Sequence, residues 1–216
     1  MVQMHTYETR EEWLKARTSY IGGSDAASVL GLNPWMSNTE LWEIKTGRRK
    51  KSFLDDNEFV KYGHDAEPLL RELFKLDFPD YKVEYEENNL WTNDRYPFAH
   101  ASCDGWITDQ DGRLGVLEIK TSNLIGAGAM DKWRDRIPDN YYIQVLHYMM
   151  VIEADWAVIK AQLKVDRDGD VFCQTRHYHI ERKDVEDDID TLRRAEEEFY
   201  QCILKNREPS LILPEI

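Results

Sequence analysis

Ser102-Cys-Asp104-Gly105 and Leu114-Gly-Val-Leu-Glu118-Ile-Lys120-Thr121, separated by the turn sequence Asp109-Gln-Asp-Gly112, carry the pattern of a β-hairpin with charged groups on both arms. The arms run from Ala101 to Thr108 and from Leu114 to Thr121. Pairing them about a turn centred near Asp111 sets Asp104 approximately opposite Glu118, so two carboxylates become neighbours. Like charges side by side on a sheet are unfavourable, and the remedy is a bound cation or a protonated carboxyl. Strand alternation puts Glu118 and Lys120 on one face and turns Ile119 into the core.

Two acids and an amine on one face suit phosphodiester hydrolysis. Hard oxygen ligands hold Mg²⁺, with Mn²⁺ as a substitute; the metal polarises a phosphate oxygen and activates a water, and the ammonium stabilises developing charge or positions that water. A Glu-x-Lys tripeptide alone fits the polar face of any amphipathic hairpin equally well. Here the flanks Gly115-Val-Leu and Ile119 are strongly apolar, which marks a central strand where charge calls for a reason.

Outward from the hairpin, the pattern is that of an α/β domain with a central mixed sheet between helices. Ser24-Asp-Ala-Ala-Ser-Val-Leu reads as a short helix with Ser24 as its N-cap, ended by Gly31 and Pro34. Ser37-Asn-Thr-Glu40 spells a capping box for a second helix reaching Gly47. Val60, Leu69, Leu70, Leu73 and Phe74 recur at near-helical spacing, and this third helix ends before Pro79. Val83 and Tyr85 begin a period-two pattern ahead of a turn-like Asn88-Asn89. Beyond the hairpin, a helix is expected over Asn140–Ile152, strands over Trp156–Val165 and Val171–Ile180 around Asp166-Arg-Asp-Gly169, and a charged helix from about Lys183 to Lys205.

The 216 residues, 42% of them hydrophobic, fit one nuclease domain over 1–216 with a helical N-terminal segment, about 1–50, and an acidic C-terminal helix, about 183–206. No apolar stretch approaches the roughly 20 residues that cross a bilayer, and the first residues carry acids and no apolar run, so the expected location is the cytoplasm with no membrane contact. Cys103, Cys173 and Cys202 are odd in number and scattered, which suits reduced thiols and excludes a four-cysteine cluster. A formal charge of -13 argues against nucleic acid until its distribution is considered. Acid is concentrated in Asp184–Asp190 and Glu196–Glu198, while Arg48, Arg49, Lys50 and Lys51 form a basic run that is either a solvated helix end or a DNA contact.

Five blocks in order resemble the lambda-exonuclease type of restriction-endonuclease-like nuclease, also called the YqaJ-like viral recombinase family, with its Asp…Glu-x-Lys signature. They are Arg17-Thr-Ser-Tyr-Ile-Gly-Gly-Ser24-Asp-Ala-Ala, Tyr62-Gly-His-Asp-Ala-Glu67-Pro, Ser102-Cys-Asp104-Gly, Leu117-Glu118-Ile-Lys120-Thr and Tyr142-Ile-Gln144-Val-Leu-His-Tyr148, covering roughly 17–165. The resemblance implies a restriction-endonuclease-like core in which Asp104, Glu118, the backbone oxygen of Ile119 and the upstream Glu67 surround magnesium. It further implies that Lys120 assists the attacking water, that Arg17 and Ser24 hold the 5′-phosphate, and that Gln144 and Tyr148 lie close to the centre. Gln144 and Tyr148, four apart on one helical face, can reach the same cleft; His147, one position off that face, reads as structural.

The activity implied is a 5′→3′ exonuclease acting on duplex DNA ends, in a bacterial or phage-infected cell. Family members form ring-shaped homotrimers and act beside a single-strand-annealing protein. In such a ring Arg48–Lys51 could line the channel while the acid blocks face outward. Two alternatives share the core: a structure- or sequence-selective endonuclease, and a non-catalytic DNA-end-binding accessory protein.

Overall fold

The computed structural model describes residues 1–50, 57–124, 127–167 and 170–212. Strand β1 (Val2–Thr6) leads into helix α1 (Arg10–Thr18), and the two-residue strand β2 (Ile21–Gly22) runs straight into α2 (Gly23–Val29). Helices α3 (Asn38–Lys45) and α4 (Glu58–Asp77) come next. Five strands follow: β3 (Lys82–Glu84), β4 (Asn89–Asn93), β5 (Ala99–Ala101), β6 (Gly105–Thr108) and β7 (Leu114–Asn123). After α5 (Ala127–Asp131) and α6 (Asp139–Ile152) come a long hairpin of β8 (Trp156–Arg167) and β9 (Asp170–Glu181), and then α7 (Glu186–Leu204). Asp168 and Gly169 of the expected turn between the last two strands, like Lys51, lie outside the described residues.

The expected mixed sheet has the order β3-β6-β7-β8-β9, with β7 and β8 parallel and the other pairs antiparallel. Helix α4 covers one face through Ala66, Leu70 and Phe74, which pack on Ile107, Leu117, Ile119, Trp156 and Val158. On the other face α6 packs on Val116, Ala157 and Ile159. Covered on both sides, β7 has the near-continuous apolar run of a buried strand. Its turn is the one read from the sequence: Gly112 takes φ +78° and its N–H donates to the Asp109 carbonyl at 3.1 Å.

A second sheet, β1-β4-β5-β2, was not expected, and it adds the strands β1 and β2 to the helical segment read over about 1–50. Its strands are two to five residues long, and β1 and β2 join it over large sequence distances, as in Val2↔Asn93, so no local pattern marks these two. A further correction concerns α2. Its N-cap is Gly22, whose backbone is extended because it still pairs with β5, and Asp25 accepts the Gly22 N–H at 3.1 Å. Ser24 therefore sits exposed in the first turn and does not cap the helix. The Ser37 capping box formed as read, with Glu40 N–H donating to Ser37 Oγ at 3.2 Å and Ser37 N–H to Glu40 Oε2 at 3.0 Å.

Helix α6 is buried from Ile143 to Ile152, as a helix apolar on all sides must be. Its one imidazole, His147, is fully enclosed, with Nδ1 2.7 Å from Glu196 Oε1 on α7 and Nε2 2.8 Å from the His100 carbonyl. Glu196 thus departs from the outward-facing acid block expected of α7, while Glu197 and Glu198 face solvent. Burial disfavours the charged ring, but Glu196 outweighs it and holds the His147 pKa above 6.5. Stability from this pair is fully present below the unfolded value and is lost as pH rises through the raised folded value. Glu196→Gln is accordingly expected to lower the melting temperature by several degrees at about pH 6, and the gap to wild type narrows by about pH 9. A gap of equal size at both pH values in paired melting curves would contradict this assignment.

Among the described residues no helix is long and apolar enough to cross a membrane, and Cys103, Cys173 and Cys202 are free thiols.

Candidate active site

Antiparallel pairing of Gly105 with Leu117 carries Asp104, one residue before β6, to the level of Glu118. Asp104 Oδ2 accepts the Ile119 N–H at 2.7 Å. Glu118 is buried, and its Oε1 accepts from Lys120 Nζ at 2.6 Å and from Gln144 Nε2 at 2.7 Å. Gln144 Nε2 also lies 2.8 Å from the Tyr148 hydroxyl. Asp104, Glu118, Lys120 and Gln144 thus stand together, with Tyr148 behind them at 3% exposure, a buried support for Gln144 and not a surface ring. Lys120 Nζ lies 4.9 Å from the centre of the Tyr141 ring.

Crowding buried carboxylates raises their proton affinity. Burial, helped by Asp104 and opposed by Lys120, pushes the Glu118 carboxyl up to about 8. Burial and the same aspartate push Glu67, on α4, up to about 7 against the pull of Arg71. Asp104 itself is raised by burial. For Lys120 burial acts the other way, but Glu118 and Asp104 outweigh it and keep the amine charged.

The donor chemistry fits a hard divalent cation. Glu118 Oε2 is buried with no hydrogen-bond partner, an arrangement that costs free energy unless a cation or proton fills the gap. Asp104 and Glu118 are the side chains placed to hold such an ion, with the backbone of Ile119 between them. Glu67 turns its Oε1 onto Arg71 Nη2 at 2.5 Å. Among the described residues no three His, Cys, Asp or Glu side chains form a metal cage by themselves.

A cavity of about 340 Å³ opens beside this centre, lined by Leu14, Arg17, Ser24, Met36, Lys45 and His100 among others. Arg17 rests on the Trp13 ring at 4.1 Å and donates to His100 Nε2 at 3.4 Å. No carboxylate pairs with it among the described residues. Lys45, by contrast, is bound to Asp25 at 2.7 Å. Gly22 and Gly23 each lie tight against one ring, because a Cβ on Gly22 would stand 2.3 Å from the ring of His100, which lines the cavity, and one on Gly23 2.4 Å from the ring of Tyr148, which backs the centre.

The basic run is largely committed within the chain. Arg48 stacks on Trp42 at 4.2 Å and donates to Asn206 at 2.8 Å, and Arg49 pairs with Glu40 and Glu43. Lys50 is exposed. Sequence reasoning missed Trp13, His100 and Arg71. Only Arg71 had a local signal, its position four residues after Glu67 on one helix face.

The model of the YqaJ-like viral recombinase domain matches residues 12–155. "Uncharacterized protein YqaJ" of Bacillus subtilis (strain 168) is 33% identical over 205 residues, which are 94% of this chain and 59% of that protein, so the chain spans about three fifths of that relative's length. In fold the chain is similar to the alkaline exonuclease LHK-Exo from Laribacter hongkongensis, at 21% identity and a TM-score of 0.60 over 91% of this chain and 95% of that one. A phage related exonuclease from Haemophilus somnus 129PT superposes with a TM-score of 0.56 at 16% identity, over 87% and 96% of the two chains. The α/β architecture of sheets flanked by helices is thus the restriction-endonuclease-like one that the resemblance implies. With its hairpin acids, its Glu-x-Lys strand and its Gly-Gly-Ser segment all inside the matched residues, the chain belongs to the YqaJ-like viral recombinase domain family.

Proposed function

We propose that this chain is a Mg²⁺-dependent exonuclease that degrades one strand of linear double-stranded DNA from its 5′ end to mononucleotides, leaving 3′ single-stranded tails for recombination by annealing. The observation that carries the reading is the meeting of Asp104, Glu118 and Lys120 at one point, with Glu118 Oε2 buried and unpartnered. A divalent ion bound there would supply Lewis-acid polarisation of the phosphate and a more acidic water.

The chain's own groups do the rest. Gln144 and Lys120 both bind Glu118 Oε1, which fixes the carboxylate rotamer and leaves Oε2 as the oxygen without a partner. The Lys120 ammonium lies where it can hold the attacking water and offset charge growing on the phosphate. Arg17, carried by Trp13 and His100 without an acidic partner, binds the terminal 5′-phosphate with the exposed Ser24 hydroxyl beside it. The product of each cut bears a new 5′-phosphate, so the same cavity resets the enzyme. A ring-shaped homotrimer around the duplex, with an annealing protein as partner, belongs to this proposal; a monomer in sedimentation would remove the ring.

The test uses linear duplexes ending in 5′-phosphate or 5′-hydroxyl and a covalently closed circle, with Mg²⁺ or with a chelator. The 5′-phosphate end is expected to be degraded about tenfold faster or more, the loss of one charge-assisted contact being worth that much. The circle stays intact and the chelator stops the reaction. Equal rates on both ends would remove Arg17 and Ser24 from end recognition, and a nicked circle would replace the exonuclease by an endonuclease.

A further inference from the structure

We propose that Arg71 is a positioning residue of the catalytic centre, clamping the Asp104 main chain and the Glu67 carboxylate into one frame; this rests on the metal-dependent reading above. Pairing of β6 with β7 starts at Gly105, so the ladder does not hold the backbone of Asp104. Side chains do so instead. Asn89 brackets the preceding residue, accepting the Cys103 N–H at 3.3 Å and donating to its carbonyl at 3.1 Å. Arg71 takes the next peptide, its Nε donating to the Asp104 carbonyl at 2.6 Å.

The same guanidinium donates through Nη2 to Glu67 Oε1 at 2.5 Å, and its face lies 3.5 Å from the centre of the Tyr85 ring. Arg71 is 6% exposed. Two in-plane bonds and a stacked face leave the group no freedom to turn. Asp104 is consequently held at both ends, its carbonyl by Arg71 and its Oδ2 by the Ile119 N–H. A buried ion pair adds little net stability, so the value of this one lies in geometry. Lysine keeps the charge but, lacking the planar fork, cannot bridge carbonyl and carboxylate while stacking on Tyr85.

Purified Arg71→Lys and Arg71→Ala are compared with wild type in two ways. Mn²⁺ is titrated without DNA, following the rise in melting temperature, and turnover is measured on 5′-phosphorylated duplex with and without millimolar guanidinium, against an equal concentration of NaCl. For Arg71→Lys the Mn²⁺ midpoint is expected to rise about tenfold or more, as for other groups that orient metal ligands, with kcat falling and KM for DNA ends unchanged. Guanidinium partly restores Arg71→Ala, a rescue that a role in packing alone does not give. Wild-type midpoint and kcat in Arg71→Lys would overturn the proposal, and should Arg71→Ala fail to fold, Arg71→Lys decides. A wild-type protein with no Mn²⁺ shift would instead remove the metal reading, and this inference with it.

Discussion

Lys120→Ala is expected to slow single-turnover cleavage by about 100- to 1000-fold while leaving duplex affinity near its wild-type value. Among the described residues the amine is the one cation in direct contact with Glu118, at 2.6 Å, and only 18% of its side chain is exposed, so water cannot replace it at equal strength. Its removal leaves Gln144 as the remaining donor to Glu118 Oε1 and withdraws the charge that restrains the proton affinity of Glu118 and Asp104. Affinity survives because the proposed end contacts, Arg17 and Ser24, line a cavity to which Lys120 does not contribute. Binding measured with Ca²⁺ and cleavage measured after rapid mixing with Mg²⁺ separate the two effects. An unchanged rate would take Lys120 out of the mechanism.

Gly23→Ala is expected to cost about 1–3 kcal/mol of stability and at least about tenfold in activity. The added methyl would lie 2.4 Å from Tyr148 Cε1 and 2.8 Å from Cζ, and this ring is buried in the main core. To admit the methyl, the ring must shift. Its hydroxyl then leaves Gln144, and Gln144 in turn loosens on Glu118. Ser24→Ala, one residue on but exposed, is expected to stay within about 0.5 kcal/mol of wild-type stability. Equal melting temperatures for Gly23→Ala and wild type would show that the helix can back away from the ring.

How much of this was legible depended on the range of the interactions. The second hairpin arm, the third helix and the α6 region follow local periodicities, and the structure places them within a few residues of the reading. The first arm, read as one strand from Ala101 to Thr108, is instead divided between β5, which ends at Ala101 in the other sheet, and β6, which begins at Gly105. The opposition of Asp104 and Glu118 also follows from turn geometry alone. The small sheet could not be read, because a strand such as Ile21–Gly22 exists only through its partner 78 residues away, Ala99–His100. Helix α1 was readable and was missed: Thr9 and Glu12 form a capping box, with Glu12 N–H donating to Thr9 Oγ1 at 3.2 Å. Ser24 misled because a serine after two glycines is a strong cap signal, and only the pairing of Gly22 with β5 moves the helix start ahead of it. In Glu196 the error was to assign a whole run of acids one environment, when helical rotation takes one member of the run inward to His147.

That inward carboxylate changes how a polyanion meets this protein. The formal charge of -13 counts Glu196 as if it radiated into solvent, yet it is sealed against an imidazole, while Glu118 faces an ammonium and Glu67 a guanidinium at close quarters. At physiological ionic strength fields fade over roughly 8 Å, so an approaching duplex responds to the patch in front of it and hardly to the total. The acidic isoelectric point then describes the behaviour of the molecule on an ion-exchange column better than it describes the proposed encounter with a DNA end.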